Sequence, residues 1–166
     1  MNDLSMRKHP RLKGYDYGQN GAYFITFCTK DKLKTLGKVI RRDAISAPLV
    51  ELTDLGEAVH KEIEDTHTYY DGVVVDKFVV MPNHAHMIVL ISNDSGTLGA
   101  SRPTNALIPR IVTMIKKKTN RAFGSDEWQR SYHDHIIRDE VEYLRVWQYI
   151  DDNPALWVDD RYFVQD

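Results

Sequence analysis

The chain holds a single cysteine, Cys28, among its 166 residues. No disulfide framework can form within it, and a reducing compartment is the default environment. Long apolar runs are missing as well. None approaches the roughly 18 residues of a membrane-spanning helix, and residues 1–8 lack the apolar stretch of a secretory signal. The expectation is a soluble cytoplasmic protein with no membrane partner. Excess charge is absent too, with 22 Lys and Arg against 24 Asp and Glu giving a net charge of −2. A globally basic duplex binder is thereby excluded. There is no internal repeat and no linker, and 42% hydrophobic with 28% charged residues is ordinary globular composition. One domain over residues 1–166 is expected.

What is present alternates between strand and helix signals. Residues 22–29 are rich in aromatic and β-branched types and read as a strand. Residues 37–40 and 49–52 are weaker strand candidates. Asp54 with Glu57 reads as a capping box, and Leu55, Val59 and Ile63 recur at helical spacing. Residues 73–80 and 84–91 read as antiparallel strands around the turn-forming Met81-Pro82-Asn83. Residues 92–103 are polar, with Ser95, Gly96 and Gly99, and read as a mobile loop. An amphipathic helix follows over 107–122, with Ile108, Ile111, Val112, Ile115 and Thr119 on one stripe and Arg110, Thr113, Lys117, Asn120 and Arg121 on the other side. Residues 132–138 suggest a last strand. Asp139 with Glu142 caps a helix over 140–152 that closes at Asn153-Pro154. The pattern predicts an α+β sandwich, an antiparallel sheet with helices packed mainly on one face.

Two features carry chemistry. His84 and His86, two apart in a predicted strand, project from the same face of an otherwise apolar segment. Buried imidazoles need partners, so the spacing admits either a hydrogen-bonded pair within the sheet or a divalent metal site. In the final helix, Tyr143, Val146, Trp147 and Ile150 cluster toward the sheet, whereas Tyr149 falls about a third of a turn away, beside Glu142, Arg145 and Asn153. Asn153 lies four residues on, directly above Tyr149. Tyr149 is either available for chemistry or a surface residue covering apolar neighbours.

The stretches at 10–17 and 21–26, Met81-Pro82-Asn83-His84-Ala85-His86, Trp128-Gln129-Arg130, Asp134 to Arg138, and Tyr149-Ile150 with Asn153-Pro154 resemble, in order, the REP-associated tyrosine transposases. These are single-tyrosine members of the HUH nuclease superfamily, and the resemblance spans nearly the whole chain, from about residue 10 to 157. It implies a ferredoxin-like, RRM-like fold and metal binding by His84 and His86, with Asn153 as a third, weak oxygen ligand. It further implies Tyr149 as nucleophile in cleavage and strand transfer of single-stranded DNA through a 5′-phosphotyrosine. The implied cofactor is Mg²⁺ or Mn²⁺, and imidazole ligation suits Mn²⁺ better. The implied partner is single-stranded or hairpin DNA from repeated palindromes, and the implied location a bacterial cytoplasm, at the nucleoid when DNA is bound. Monomer and homodimer are both compatible with it.

Other readings stand beside this one. A catalytically inactive nucleic-acid binder could use the same sheet, and a metal-dependent hydrolase could use the two histidines without a covalent step. Tyr143 has Trp147, a useless ligand, at its i+4 position. His133 and His135 form a second His-x-His, read as a hydrogen-bonded strand-edge pair, with His135 also a candidate DNA contact. Arg110, Lys116, Lys117 and Arg121 form a candidate phosphate track. Trp128 reads as a core anchor ahead of a base-stacking platform, and His9, His60 and His67 as surface residues.

Overall fold

The computed structural model describes residues 20–41, 45–92 and 107–165. Arg7, Lys8, His9, Arg11, Lys13, Arg42, the motif at 10–17 and all but the first residue of the polar loop at 92–103 lie outside them. The elements are β1 (Gly21–Cys28), β2 (Gly37–Ile40), β3 (Leu49–Leu52), α1 (Asp54–Glu64), α2 (Thr66–Tyr69), β4 (Val73–Met81), β5 (His84–Ile91), α3 (Leu107–Phe123), β6 (His133–Ile137) and α4 (Glu140–Asp152). Short 3₁₀ turns occur at Lys30–Lys32 and Trp157–Asp159. None of the described helices is long and apolar enough to cross a membrane.

The main sheet runs β4-β5-β1-β6, with every neighbouring pair antiparallel. This is the ferredoxin-like βαββαβ order, with the β2–β3 hairpin inserted before α1. Strand alternation then sorts side chains between two faces. Tyr23, Ile25 and Phe27 of β1 and Ala85, Met87 and Val89 of β5 point to one face, where the stripes of α1 and α3 cover them in the larger core. Each fully buried Ile or Val there contributes about 1.5–3 kcal/mol. The opposite face carries Phe24, Ile88 and Ile137, covered by Val146 and Ile150 of α4. Helices therefore pack mainly on one face, and the other is covered by α4 and the chain that follows it. Because Cys28 pairs with His84 and Thr26 with both His86 and His133, the histidines of both His-x-His motifs lie on that α4 face.

Local chemistry refines several boundaries. α1 is capped by Thr53 rather than Asp54: the Thr53 hydroxyl accepts from Gly56 N at 3.1 Å, leaving Asp54 and Glu57 as first-turn anions favoured by the helix dipole. Thr29 drops out of β1 because its hydroxyl donates to the carbonyls of Leu33 and Asn83, turning the chain into the 3₁₀ segment. A bulge between Val75 and Lys77 breaks the register of β4, which alternation alone did not foretell. Trp128 is a core residue, packed at a tilt against Phe27 with ring centroids 5.0 Å apart and its Nε1 donating to Thr119 Oγ1 at 2.9 Å. His60 lies on the surface beside Glu64, at 3.5 Å.

Gly56 is where helix and chain touch. A Cβ there would sit 1.9 Å from the Leu36 carbonyl oxygen, which accepts from Thr53 N at the start of the same helix. Gly56→Ala must push α1 off the 35–36 segment. The expected cost is about 3 kcal/mol, the upper end for overpacking, read as a lower urea midpoint at unchanged m-value.

Candidate active site and metal centre

His84 and His86 are fully buried on the central strand β5, side by side with ring centroids 4.5 Å apart. Their burial comes from α4 on one side and from the segment after it on the other. Residues 153–163 fold back over the rings, bringing Tyr162 to 4.6 Å and Trp157 to 5.9 Å from His84.

The orientation of His84 is dictated by Asn83. The Asn83 amide nitrogen donates to two backbone carbonyls, of Lys32 at 3.1 Å and Tyr162 at 2.8 Å. Its oxygen therefore faces His84 Nδ1 at 2.8 Å, and since that oxygen can only accept, Nδ1 must carry the proton. The lone pair of His84 is left on Nε2, which is buried with no hydrogen-bond partner. The Lys32 carbonyl reaches Asn83 from a turn in which both Asp31 and Lys32 have left-handed φ angles, 52° and 55°. Backbone strain of this kind is held where a site requires it. His86 is anchored at Nδ1 by Thr26 Oγ1 at 2.6 Å. A hydroxyl can donate or accept, so Thr26 fixes the ring without dictating its tautomer.

Tyr149 closes the group. Its ring packs edge-on to Phe24, and its hydroxyl lies 3.1 Å from Asp160 Oδ2 and 3.3 Å from His86 Nε2. Asp160 Oδ2 also accepts from Asn153 Nδ2 at 3.0 Å, and Oδ1 accepts from Tyr162 N at 2.7 Å. The other end of the Asn153 amide, Oδ1, is the second buried atom of the site with no partner. His84, His86 and Asp160 each offer a ligand atom within 4.8 Å of the others. Two imidazole nitrogens, a carboxylate and an orphaned amide oxygen are a donor set that fits a divalent cation. An empty apolar pocket would leave no such atoms.

Electrostatics agree with the geometry. Burial lowers His84 to about 4, against the opposing pull of Asp160. Burial, then the neighbouring His84 and Arg161, hold His86 well below its usual value. Both rings are neutral near pH 7, the form that ligates. Burial and the Asp160 carboxylate push the Tyr149 phenol above its usual value, while Arg161 opposes them.

The sequence-predicted residues divide into two groups. His84, His86, Tyr149 and Asn153 are brought together. The basic set is not: Lys116 turns inward and donates to the carbonyls of Gln129 and Ser131 at 2.7 and 3.0 Å, so it is no part of an exposed track. Burial lowers it to about 8. Arg110, Lys117 and Arg121 are exposed on α3, across the sheet from the histidines. His135 Nε2 lies 2.6 Å from Glu142 Oε1 and ties β6 to α4, as a strand-edge pair should. Tyr143 directs its hydroxyl to Asp76 of β4, away from the site. Asp160 and Asn83 were not singled out by sequence. Asp160 follows no periodic element, and Asn83 read as a turn residue and as part of the motif that carries the resemblance, with no role assigned to its side chain.

This sheet order, with helices packed against it, is shared with a solved structure. The solved structure of a REP-associated tyrosine transposase bound to a REP hairpin superposes with a TM-score of 0.59 over 90% of this chain and 73% of that one, at 21% identity; the two share a fold. No family model matches the chain. An uncharacterized protein of Haemophilus influenzae is 35% identical over 95% of this chain and 93% of its own length, and the chain belongs to the same family as that protein.

Proposed function

We propose that this chain cleaves and rejoins single-stranded DNA, with Tyr149 as the nucleophile. The observation that carries the reading is the convergence of the Tyr149 hydroxyl, two buried neutral histidines and Asp160 around two buried polar atoms that have no partner. The transposase that shares the fold was solved with a REP hairpin, which supports hairpin-forming DNA as the substrate class.

His84 Nε2, His86, Asp160 and the Asn153 amide oxygen would hold the cation. Mn²⁺ suits two imidazoles better than Mg²⁺ does. Bound there, it supplies positive charge that stabilises the reacting phosphate and favours the phenolate. The residues supply the rest. Thr26 and Asn83 fix the imidazoles, and Asp160 Oδ2, which accepts the phenolic hydrogen bond, takes the proton as Tyr149 attacks phosphorus. The bond to the 3′ oxygen breaks and that oxygen takes up the proton Asp160 has gained, leaving a 5′-phosphotyrosine and a 3′-hydroxyl. Because the phosphodiester energy is kept in that linkage, a second 3′-hydroxyl can reverse the attack and join strands. The test is a covalent adduct on a denaturing gel, formed from labelled single-stranded oligonucleotides tiled across the flanks of the gene with Mn²⁺. Tight binding with no adduct in any condition would favour the inactive binder.

Asn83 gives a second check. Asn83→Ala frees His84 to adopt the other tautomer and strands two carbonyls and an N–H. The expected results are a stability loss of at least about 1–3 kcal/mol and a 10–100-fold weaker Mn²⁺ affinity by calorimetry. Asn83→Asp, which keeps the acceptor but loses both donations, should fall between wild type and Asn83→Ala in affinity.

A further inference from the structure

On the face of the sheet opposite Tyr149, α3 and the residue after α2 frame a second feature. An open groove of about 430 Å³ is lined by Tyr70, Pro109, Arg110, Thr113, Met114 and Lys117. Its floor is aromatic, thioether and proline ring, and no carboxylate among the described residues lines it.

The charges in this groove differ from their neighbours on α3. Lys116 is consumed by two backbone carbonyls, and Lys118 by Glu62 and Tyr69. Arg110 and Lys117 have no carboxylate partner among the described residues. Two uncompensated cations in one groove stand out in a chain whose net charge is −2. They are seven residues apart, two helical turns or about 10 Å along the axis, with Thr113 between them on the same side. Tyr70 lines the same groove, and the positive charges of Arg110 and Lys118 oppose the rise that burial imposes on its hydroxyl. Alternation of cation, hydroxyl and cation along an aromatic and thioether surface is the chemistry that holds a phosphodiester strand with an unpaired base. A free inorganic anion would use the cations and leave the apolar floor unexplained.

We propose that this groove is a second DNA contact, in which an unpaired base lies on Tyr70 and Met114 while Arg110 and Lys117 hold the flanking phosphates. It rests on the DNA-cleaving reading above and deepens it. The strand is gripped on one face of the sheet and reacts on the other, so productive substrates extend well beyond the scissile phosphate.

The experiment uses Tyr149→Phe, so that no chemistry intervenes. An oligodeoxynucleotide of random sequence and about 20 nucleotides, longer than one such site, carries 5-iodouracil in place of thymine. It is photo-crosslinked, and adducts are mapped by mass spectrometry. The expected result is a crosslink on Tyr70 that disappears in Arg110→Ala/Lys117→Ala and survives in Lys117→Arg. The double substitution should also flatten the logarithmic salt dependence of binding by about 1.4, twice the single-strand increment per phosphate contact. Circular dichroism and the urea midpoint would show that the exposed substitutions leave the fold intact. Crosslinks confined to the neighbourhood of Tyr149 and Tyr162, with an unchanged salt slope, would overturn the groove and leave the DNA-cleaving reading standing. Absence of any DNA binding at low salt would overturn both.

Discussion

Tyr149→Phe is expected to abolish the covalent DNA adduct while leaving the protein folded. The substitution removes one oxygen. The ring keeps its edge contact with Phe24 at 6.0 Å and its packing beside His86 at 5.2 Å. Asp160 retains Asn153 Nδ2 and Tyr162 N as donors, so no charge is stranded and the stability change should stay within about 0.5–1.5 kcal/mol. The chemical loss should be on the order of 10³-fold or more, as for removal of other enzymes' nucleophiles, because no other tyrosine hydroxyl among the described residues bonds the paired histidines. Tyr143 is bound to Asp76 on the edge strand, and Tyr162 is engaged by Arg161 Nη2 at 2.8 Å. A persistent adduct in Tyr149→Phe, mapped to Tyr162, would move the nucleophile onto the tail. Adduct formation by His84→Ala at the wild-type rate would detach the chemistry from the histidines.

The parts of the site legible in the sequence were those set by periodicity. A two-residue spacing placed His84 and His86 on one face, and a four-residue spacing placed Asn153 above Tyr149. Family resemblance supplied the roles proposed for them. Contacts made by chain segments that obey no period were hidden. Asp160 reaches the histidines only because the chain doubles back after Pro154, and the Lys32 carbonyl only because two residues accept a left-handed backbone. Lys116 shows the opposite failure. At about 100° per residue it falls only about 40° from Val112, on the flank of the buried stripe rather than with Lys117, and its long stem carries the ammonium inward to two carbonyls. The fold was more open to inspection, since each core stripe of α1, α3 and α4 follows helical spacing. The α2 turn was missed because four residues are too few to show a period.

The second large effect is acid destabilisation of the metal-free protein. His84 titrates near 4 in the folded state because burial disfavours its charged form, against about 6.5 when unfolded. The unfolded chain therefore binds the proton first. Stability is complete above pH 6.5 and is lost as the pH falls from there toward 4. Between pH 7 and pH 5 His84 alone should cost about 2 kcal/mol. His86, lowered by the same burial, adds in the same direction. Urea unfolding in chelator at pH 7, 6 and 5 measures the slope, and His84→Gln, which cannot titrate, should flatten it. An unchanged slope in that variant would mean that the buried imidazole is not the group responsible. Protons and a divalent cation compete for the same nitrogen lone pairs. Mn²⁺ at about a hundred times its dissociation constant should therefore add about 2.7 kcal/mol at pH 7, and this gain should shrink as the pH falls, because ligation requires the neutral rings. Asp160→Asn should lose most of that gain while keeping the acid slope of the chelated protein, which separates the carboxylate's part in holding the cation from the histidines' part in the fold.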